Sequence, residues 1–470
     1  MTQPTLDDLS DDRLRGASSF QLLHWLAAGR VSAARLHAVH AAAIARLDPE
    51  LRAFVNLNPA AADEALASDT RRAAHGAIGR LDGLTVAVKD NIDVAGLPTT
   101  VGLASRSGAI AAKDSGVVAR LRAAGAVILG KTALDEGTLG SSGSTGAGGP
   151  VSSAHRHGVV AGGSSAGSAV AVAAGLCAFA IGSDTLGSTR IPASHAGVYG
   201  LRPTPGEIAT QGVVPTARRL DSIGILARSV QDIAIVLQVL NAYDPADPRS
   251  RRRRVALAPP DWEPGRLRSG FLPDLAALGV ASDVRSVFAR AVEVLGLELG
   301  ERSDVDIGAY DIGRMRRAAL LVMESELGVE LAGDLADTAH PPSSRLRAML
   351  DFARARTAVD YAAADRQIDR AVVLARELFR DVDVLVLPTV PHGAYALGEG
   401  ERANDADLTS FASLAGCPAI SLPMGLLDDG LPVGLQLVGA PGSDLRLLEL
   451  AEVCSARLDA APSFPVVRDA

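Results

Sequence analysis

Leu22, Leu23 and Leu26, then Leu36, Val39, Ile44 and Leu47, recur at helical intervals, with Ser32 placed to cap the second run. The spacing predicts two N-terminal helices. Residues 84–88 form a short β-prone run ending at Lys89, residues 117–124 read as a helix and 126–129 as the next strand, so strand and helix alternate. Across residues 137–163 this pattern lapses: Gly, Ser, Thr and Ala dominate, no hydrophobic period survives, and a loop is expected. Residues 165–175 read as a helix of small side chains, 178–181 as a strand, and 185–188 as a turn whose glycine permits an unusual backbone angle. Beyond Pro203, helices are expected near residues 229–240, 286–295, 315–331 and 361–379, strands at 382–387, 419–422 and 434–438, and a closing helix at 444–458. Residues 244–274, rich in Pro, Arg and Asp, are the candidate linker or insertion.

Composition narrows the core. Of 470 residues 48% are apolar but only 3% aromatic, so Ala, Val, Leu and Gly must build thin, closely approaching layers, as when helices pack on a sheet. A net charge of −8 gives no broad attraction to phosphates, and no nucleic-acid partner is expected. Arg249 and Arg251 to Arg254 form the single basic cluster and read as a solvated linker. Cys177, Cys417 and Cys454 show neither disulfide nor zinc spacing, which fits a reducing cytoplasm, with no metal and no cofactor. The acidic, polar start at residues 1–13 lacks the pattern of a secretory signal. The longest uncharged apolar run, residues 169–181, falls short of the roughly 20 residues that span a bilayer. A soluble cytoplasmic protein acting on a small molecule, as monomer or homodimer, is the expectation.

Cleaving an amide requires a nucleophile, a base that takes its proton and later protonates the amine, and donors for the tetrahedral oxyanion. Ser188 sits in Asp184-Thr185-Leu186-Gly187-Ser188-Thr189-Arg190, where a sharp turn can aim several peptide N–H groups at one point. A lysine acts as base only when neutral, which burial or nearby positive charge brings about. Lys89 ends an apolar strand, so its stem starts inside the sheet.

The segments 162–168, Gly-Gly-Ser-Ser-Ala-Gly-Ser, and 182–193, Gly-Ser-Asp-Thr-Leu-Gly-Ser-Thr-Arg-Ile-Pro-Ala, resemble the amidase signature family. Residues 86–92 resemble its catalytic-lysine strand, 200–204 its closing segment, and 414–419 and 430–436 its C-terminal core strands, so the similarity spans nearly the whole chain. The resemblance implies an α/β fold, one large domain over residues 1–470 with a twisted mixed β-sheet, helices on both faces and a signature core at about 80–215. It implies Ser188 as nucleophile, Ser164 as the bridging serine after a cis peptide from Gly163, and Lys89 as terminal base. Peptide N–H groups of Thr185, Leu186, Gly187 and Ser188 would hold the oxyanion, while Gly140, Ser141, Ser142 and Gly163 would contact substrate. Asp184 and Arg190 would shape the turn.

Family substrates include aliphatic and aryl amides, esters and, in the urethanase branch, carbamates. Ala166 and Leu186 stand where many members have glycine, His195-Ala196 where an aromatic residue and cysteine are common, and the loop at 141–150 lacks a frequent Asn-Pro pattern. Small loop side chains and Leu186 imply a roomy, weakly polar pocket suited to an aryl amide or carbamate.

Three other readings stand beside this one. The family also holds glutamine-hydrolysing amidotransferase A-type subunits that act with a partner. The run Gly163-Ser164-Ser165-Ala166-Gly167 also fits the G-x-S-x-G elbow of α/β-hydrolase esterases, which would make Ser165 the nucleophile and call on His195, His340 or His392. A scaffold kept for binding or assembly is the third. Surface or loop roles suffice for His155 and His157, although either could line the pocket, and Thr389, Pro391, Ser410 and Ser413 read equally as pocket or turn residues.

Overall fold

A computed structural model describes residues 9–251, 266–308 and 310–461. Its strands are β1 (Phe54–Leu57), β2 (Thr85–Lys89), β3 (Val127–Thr132), β4 (Phe179–Asp184), β5 (Tyr199–Arg202), β6 (Ser222–Ala227), β7 (Arg268–Phe271), β8 (Glu301–Asp304), β9 (Val384–Pro388), β10 (Ala419–Leu426) and β11 (Pro432–Gly439). They join in a single mixed sheet of order β1-β3-β2-β4-β6-β5-β10-β11-β9-β7-β8. β2 lies between β3 and β4 and runs parallel to both. Antiparallel pairs carry the sheet onward from β4 to β9, and β9, β7 and β8 are again parallel.

Every residue of β2, β3, β4, β6 and β11 is buried, which requires cover on both faces of the sheet. The helix Ala166–Ala173, built from Ala, Gly, Ser and Val and buried throughout, packs against β2, β3, β4 and β6. Small side chains let its axis come close, as the composition requires. Helices Val230–Leu240 and Asp444–Leu458 pack on β5 and β6 and on β10 and β11 respectively. This is the expected α/β architecture.

The strongly periodic segments fold as read, with shifted ends: Ala358–Asp381 begins earlier behind a capping box at Thr357, and Asp444–Leu458 matches its predicted bounds. The N-terminal region corrects the expectation of two helices. Three form, at Asp11–Gly16, Ser19–Ala27 and Ala33–Leu51, because Ser10 and Ser18 each cap a helix of their own while Ser32 caps the third. Residues 137–163 are mostly loop, with two isolated bridges, Ser152 to Val160 and Val159 to Ala396. Much of the candidate linker, with Arg252, Arg253 and Arg254, lies outside the described residues. The part that is described is not freely solvated, since Arg249 donates to the Thr210 hydroxyl and the Arg251 N–H to the Gly206 carbonyl.

Candidate active site

Because β2 and β4 are parallel neighbours, their C-terminal ends bring Lys89 beside Ser183 and Asp184. Lys89 is fully buried, and its Nζ donates to Ser164 Oγ at 2.8 Å and to Ser183 Oγ at 2.9 Å. Burial drives its pKa down from 10.5 to about 7, against the opposing pull of Asp135, Asp184 and Asp221. Asn91 Nδ2 donates to the same Ser183 hydroxyl at 3.2 Å. Ser183 and Asn91 therefore share the lysine's site; both lie in the segments that carry the family resemblance, but their contacts with Lys89 and with each other appear only in the fold. The peptide bond from Gly163 to Ser164 is cis.

The turn after β4 is fixed from behind. Asp184 accepts from Arg190 Nη2 at 2.9 Å and Nε at 3.0 Å, from Arg202 Nη1 at 3.3 Å and from the Thr189 N–H at 3.2 Å. Burial alone would raise this carboxyl, but the two guanidiniums hold it below the usual carboxylate range. Thr185 Oγ1 donates to Asp221 at 2.7 Å, and Thr409 Oγ1 donates to the Leu186 carbonyl at 2.5 Å. Gly187 has φ +140°, and a Cβ there would stand 2.2 Å from Thr409 Oγ1. Among the described residues, the peptide N–H groups of Leu186, Gly187 and Ser188 meet no protein acceptor.

Ser188 faces a cavity of about 240 Å³. Gly140, Ser141, Leu186 and Gly187 line it with Ser188, whereas Lys89, Ser164, Thr185, Ser142 and Gly163 do not. Its remaining walls include Leu139, Ile191, Leu320, Met323 and Met349, with Arg316, Arg345, Glu401 and Asp405. Arg345 pairs with Glu401 and Arg316 with Asp407. Helices Ile312–Glu330 and Ser344–Arg354 supply much of this wall, and their amphipathic patterns say nothing about which face meets a substrate. A larger cleft, about 720 Å³, opens beside β1 around Arg52, Asn56 and Leu103 and includes none of the residues just described around Lys89 and Ser188.

Residues 38–448 match the sequence profile of the family described as Amidase. The chain belongs to the Amidase family. It is 36% identical over 444 residues to the A subunit of the glutamyl-tRNA(Gln) amidotransferase of Synechococcus sp. (strain RCC307), covering 87% of this chain and 90% of that one. Identity to the corresponding protein of Thermus thermophilus is 35% over 463 residues, 91% of this chain and 94% of that one. Among solved structures, the native peptide amidase from Stenotrophomonas maltophilia superposes with TM-score 0.80 at 30% identity, covering 96% of this chain and 99% of its own. The 6-aminohexanoate cyclic dimer hydrolase, solved with substrate, superposes with TM-score 0.86 at 26% identity over 97% of this chain and all of that one.

Within this Amidase-family chain the elbow reading of Ser165 loses its geometry. Ser165 is fully buried, its Oγ donates to the Ser183 carbonyl at 3.1 Å and accepts from the Ser183 N–H at 3.4 Å, and it does not reach the cavity. His195 is buried away from the cavity and, chiefly through burial, has a pKa near 4. His155 Nε2 contacts the Ala196 carbonyl and His157 pairs with Glu50, so both keep the surface or loop roles read for them and neither joins the cavity wall. Thr389 bonds Ser421, Ser410 bonds Tyr310 and Ser413 bonds Arg190, all inside the core. Among the described residues no cluster of His, Cys, Asp or Glu is suited to hold a metal ion, and no helix is long and apolar enough to cross a membrane.

Proposed function

We propose that the protein hydrolyses a carbon–nitrogen acyl bond through a seryl acyl-enzyme, with Ser188 as nucleophile, Ser164 as proton bridge and Lys89 as base. The observation that carries this reading is the 2.8 Å contact of a fully buried Lys89 with Ser164, at a pKa near 7 that leaves the amine free to accept a proton. Ser188 attacks the carbonyl carbon as its proton passes to Ser164 Oγ and that of Ser164 passes to Lys89 Nζ. The oxyanion forms against the turn's N–H groups, a preorganised site where one donor contributes about 3 kcal/mol. Collapse expels the amine, which takes the proton back through Ser164. Water then attacks the acyl-enzyme by the same route and frees Ser188.

The substrate best suited to the cavity is an aryl amide or carbamate. Leu139, Leu186, Ile191, Leu320, Met323 and Met349 offer an apolar surface, while Arg345 and Arg316 are already neutralised by Glu401 and Asp407. No cofactor enters the scheme, and the isolated chain would suffice. A second reading is favoured by the curated relatives: a glutamine-hydrolysing component of a larger complex. Assay of the purified chain on aryl amides, carbamates, charged aliphatic amides and glutamine decides between them. Turnover of aryl substrates without a partner supports the first reading; hydrolysis of glutamine and charged amides alone overturns it.

A further inference from the structure

Ser141 has every polar atom engaged. Its N–H donates to Glu401 Oε1 at 2.8 Å, its Oγ to Asp405 Oδ2 at 2.6 Å, and its carbonyl accepts from the Gly163 N–H at 2.7 Å. Ser141 thus joins the cavity wall on one side to the residue preceding Ser164 on the other. Gly163 packs closely on this side: a Cβ on it would stand 1.9 Å from Asp135 Oδ2 and 3.1 Å from the Ser141 carbonyl carbon. Asp405 is itself buried at 3% exposure, and Tyr395 OH donates to its Oδ2 at 3.0 Å while His392 Nε2 lies 2.8 Å from Oδ1. Two hydroxyls, of Ser141 and Tyr395, therefore converge on Oδ2 and restrict where this buried carboxylate can sit.

We propose that Asp405 is a positioning residue: through Ser141 it sets the placement of Gly163, and with it the hydroxyl of Ser164 that bridges Ser188 to Lys89. This inference rests on the relay reading given above. A 1 Å displacement far from the reacting atoms can cost about a hundredfold in rate, so a tether of this kind is worth having. It also reassigns Ser141. With its hydrogen donated to Asp405, the Ser141 hydroxyl orients the wall and meets the cavity only as an acceptor.

The test compares Asp405→Ala, Asp405→Asn, Ser141→Ala and the Asp405→Ala/Ser141→Ala double variant. The readouts are the rate of Ser188 labelling by a small fluorophosphonate, with the adduct located by peptide mass analysis, and kcat and KM on one small aryl amide. Expected are labelling and kcat lowered about 10- to 100-fold in Asp405→Ala with KM changed less than about threefold, partial recovery in Asp405→Asn, and a double variant no slower than the slower single. A raised KM with unchanged labelling, or single effects that multiply, would overturn the inference. If Asp405→Ala does not fold, Ser141→Ala removes only the hydroxyl, and wild-type labelling in that variant overturns it equally. Wild-type protein unlabelled at Ser188 would remove the relay itself and this inference with it, whereas a labelled wild type with indifferent Asp405 and Ser141 variants removes this inference alone.

Discussion

Arg190 grips Asp184 with two hydrogen bonds, at 2.9 and 3.0 Å, and neither side chain has any exposed surface. The same guanidinium reaches the Thr409 carbonyl at 3.0 Å and Gln436 Oε1 at 2.6 Å, so one side chain ties the turn carrying Ser188 to the C-terminal part of the chain. A lysine has the charge but not the planar fork. Arg190→Lys is expected to cost about 3 kcal/mol or more, because it leaves buried acceptors unpaired. Urea denaturation measures this, and Ser188 labelling should fall with it.

Lys89 carries a pH signature. Its folded pKa is near 7 and burial is the cause, so turnover should rise with pH through about 7 and level off above it. Between the folded value near 7 and the ordinary 10.5 the unfolded chain holds a proton that the folded chain lacks, so this group's contribution to stability increases as pH rises across that window. Lys89→Met should remove the rising limb in a pH–rate profile along with at least a hundredfold of activity, taking general-base catalysis as worth about 10²–10⁴.

Gly187→Ala meets two obstacles, a backbone angle that L side chains rarely adopt and the Thr409 hydroxyl at 2.2 Å. Activity should drop by about two orders of magnitude, as for loss of an oxyanion donor. Thr409→Ala in the same chain should not restore it, since the angle persists. Single-turnover acylation rates would show whether it does.

Ser165→Ala separates the two serines. Its hydroxyl bridges backbone groups of Ser183, so removing it should cost about 1 kcal/mol in a thermal or urea unfolding experiment while Ser188 labelling continues. Ser188→Ala should do the reverse: full stability and no adduct.

The sequence made the sheet's centre and the turn legible because both are written locally. β2 and β4 each contain a short apolar run, Val86 to Val88 and Phe179 to Ile181, and residues 182–193 carry their motif in consecutive positions. What stayed hidden depends on partners distant in the chain. β7 and β8 read Arg-Ser-Gly-Phe and Glu-Arg-Ser-Asp, sequences with no strand pattern of their own, and exist through pairing with β9 and with each other. The helix Arg190–Ala196 contains a proline and hides within the motif. Asp405 lies 264 residues from Ser141, with which it shares a 2.6 Å bond, and no periodicity announces such a contact.

The last strand of the sheet has one more consequence. Among the described residues β8 is the last strand of the sheet, exposed at all four positions and carrying Glu301, Arg302 and Asp304. An unpaired edge invites strands from other molecules, and mixed charges on so short a strand discourage them by making any added strand desolvate ions. Among the described residues, then, the sheet ends on a strand whose charges work against its further lengthening.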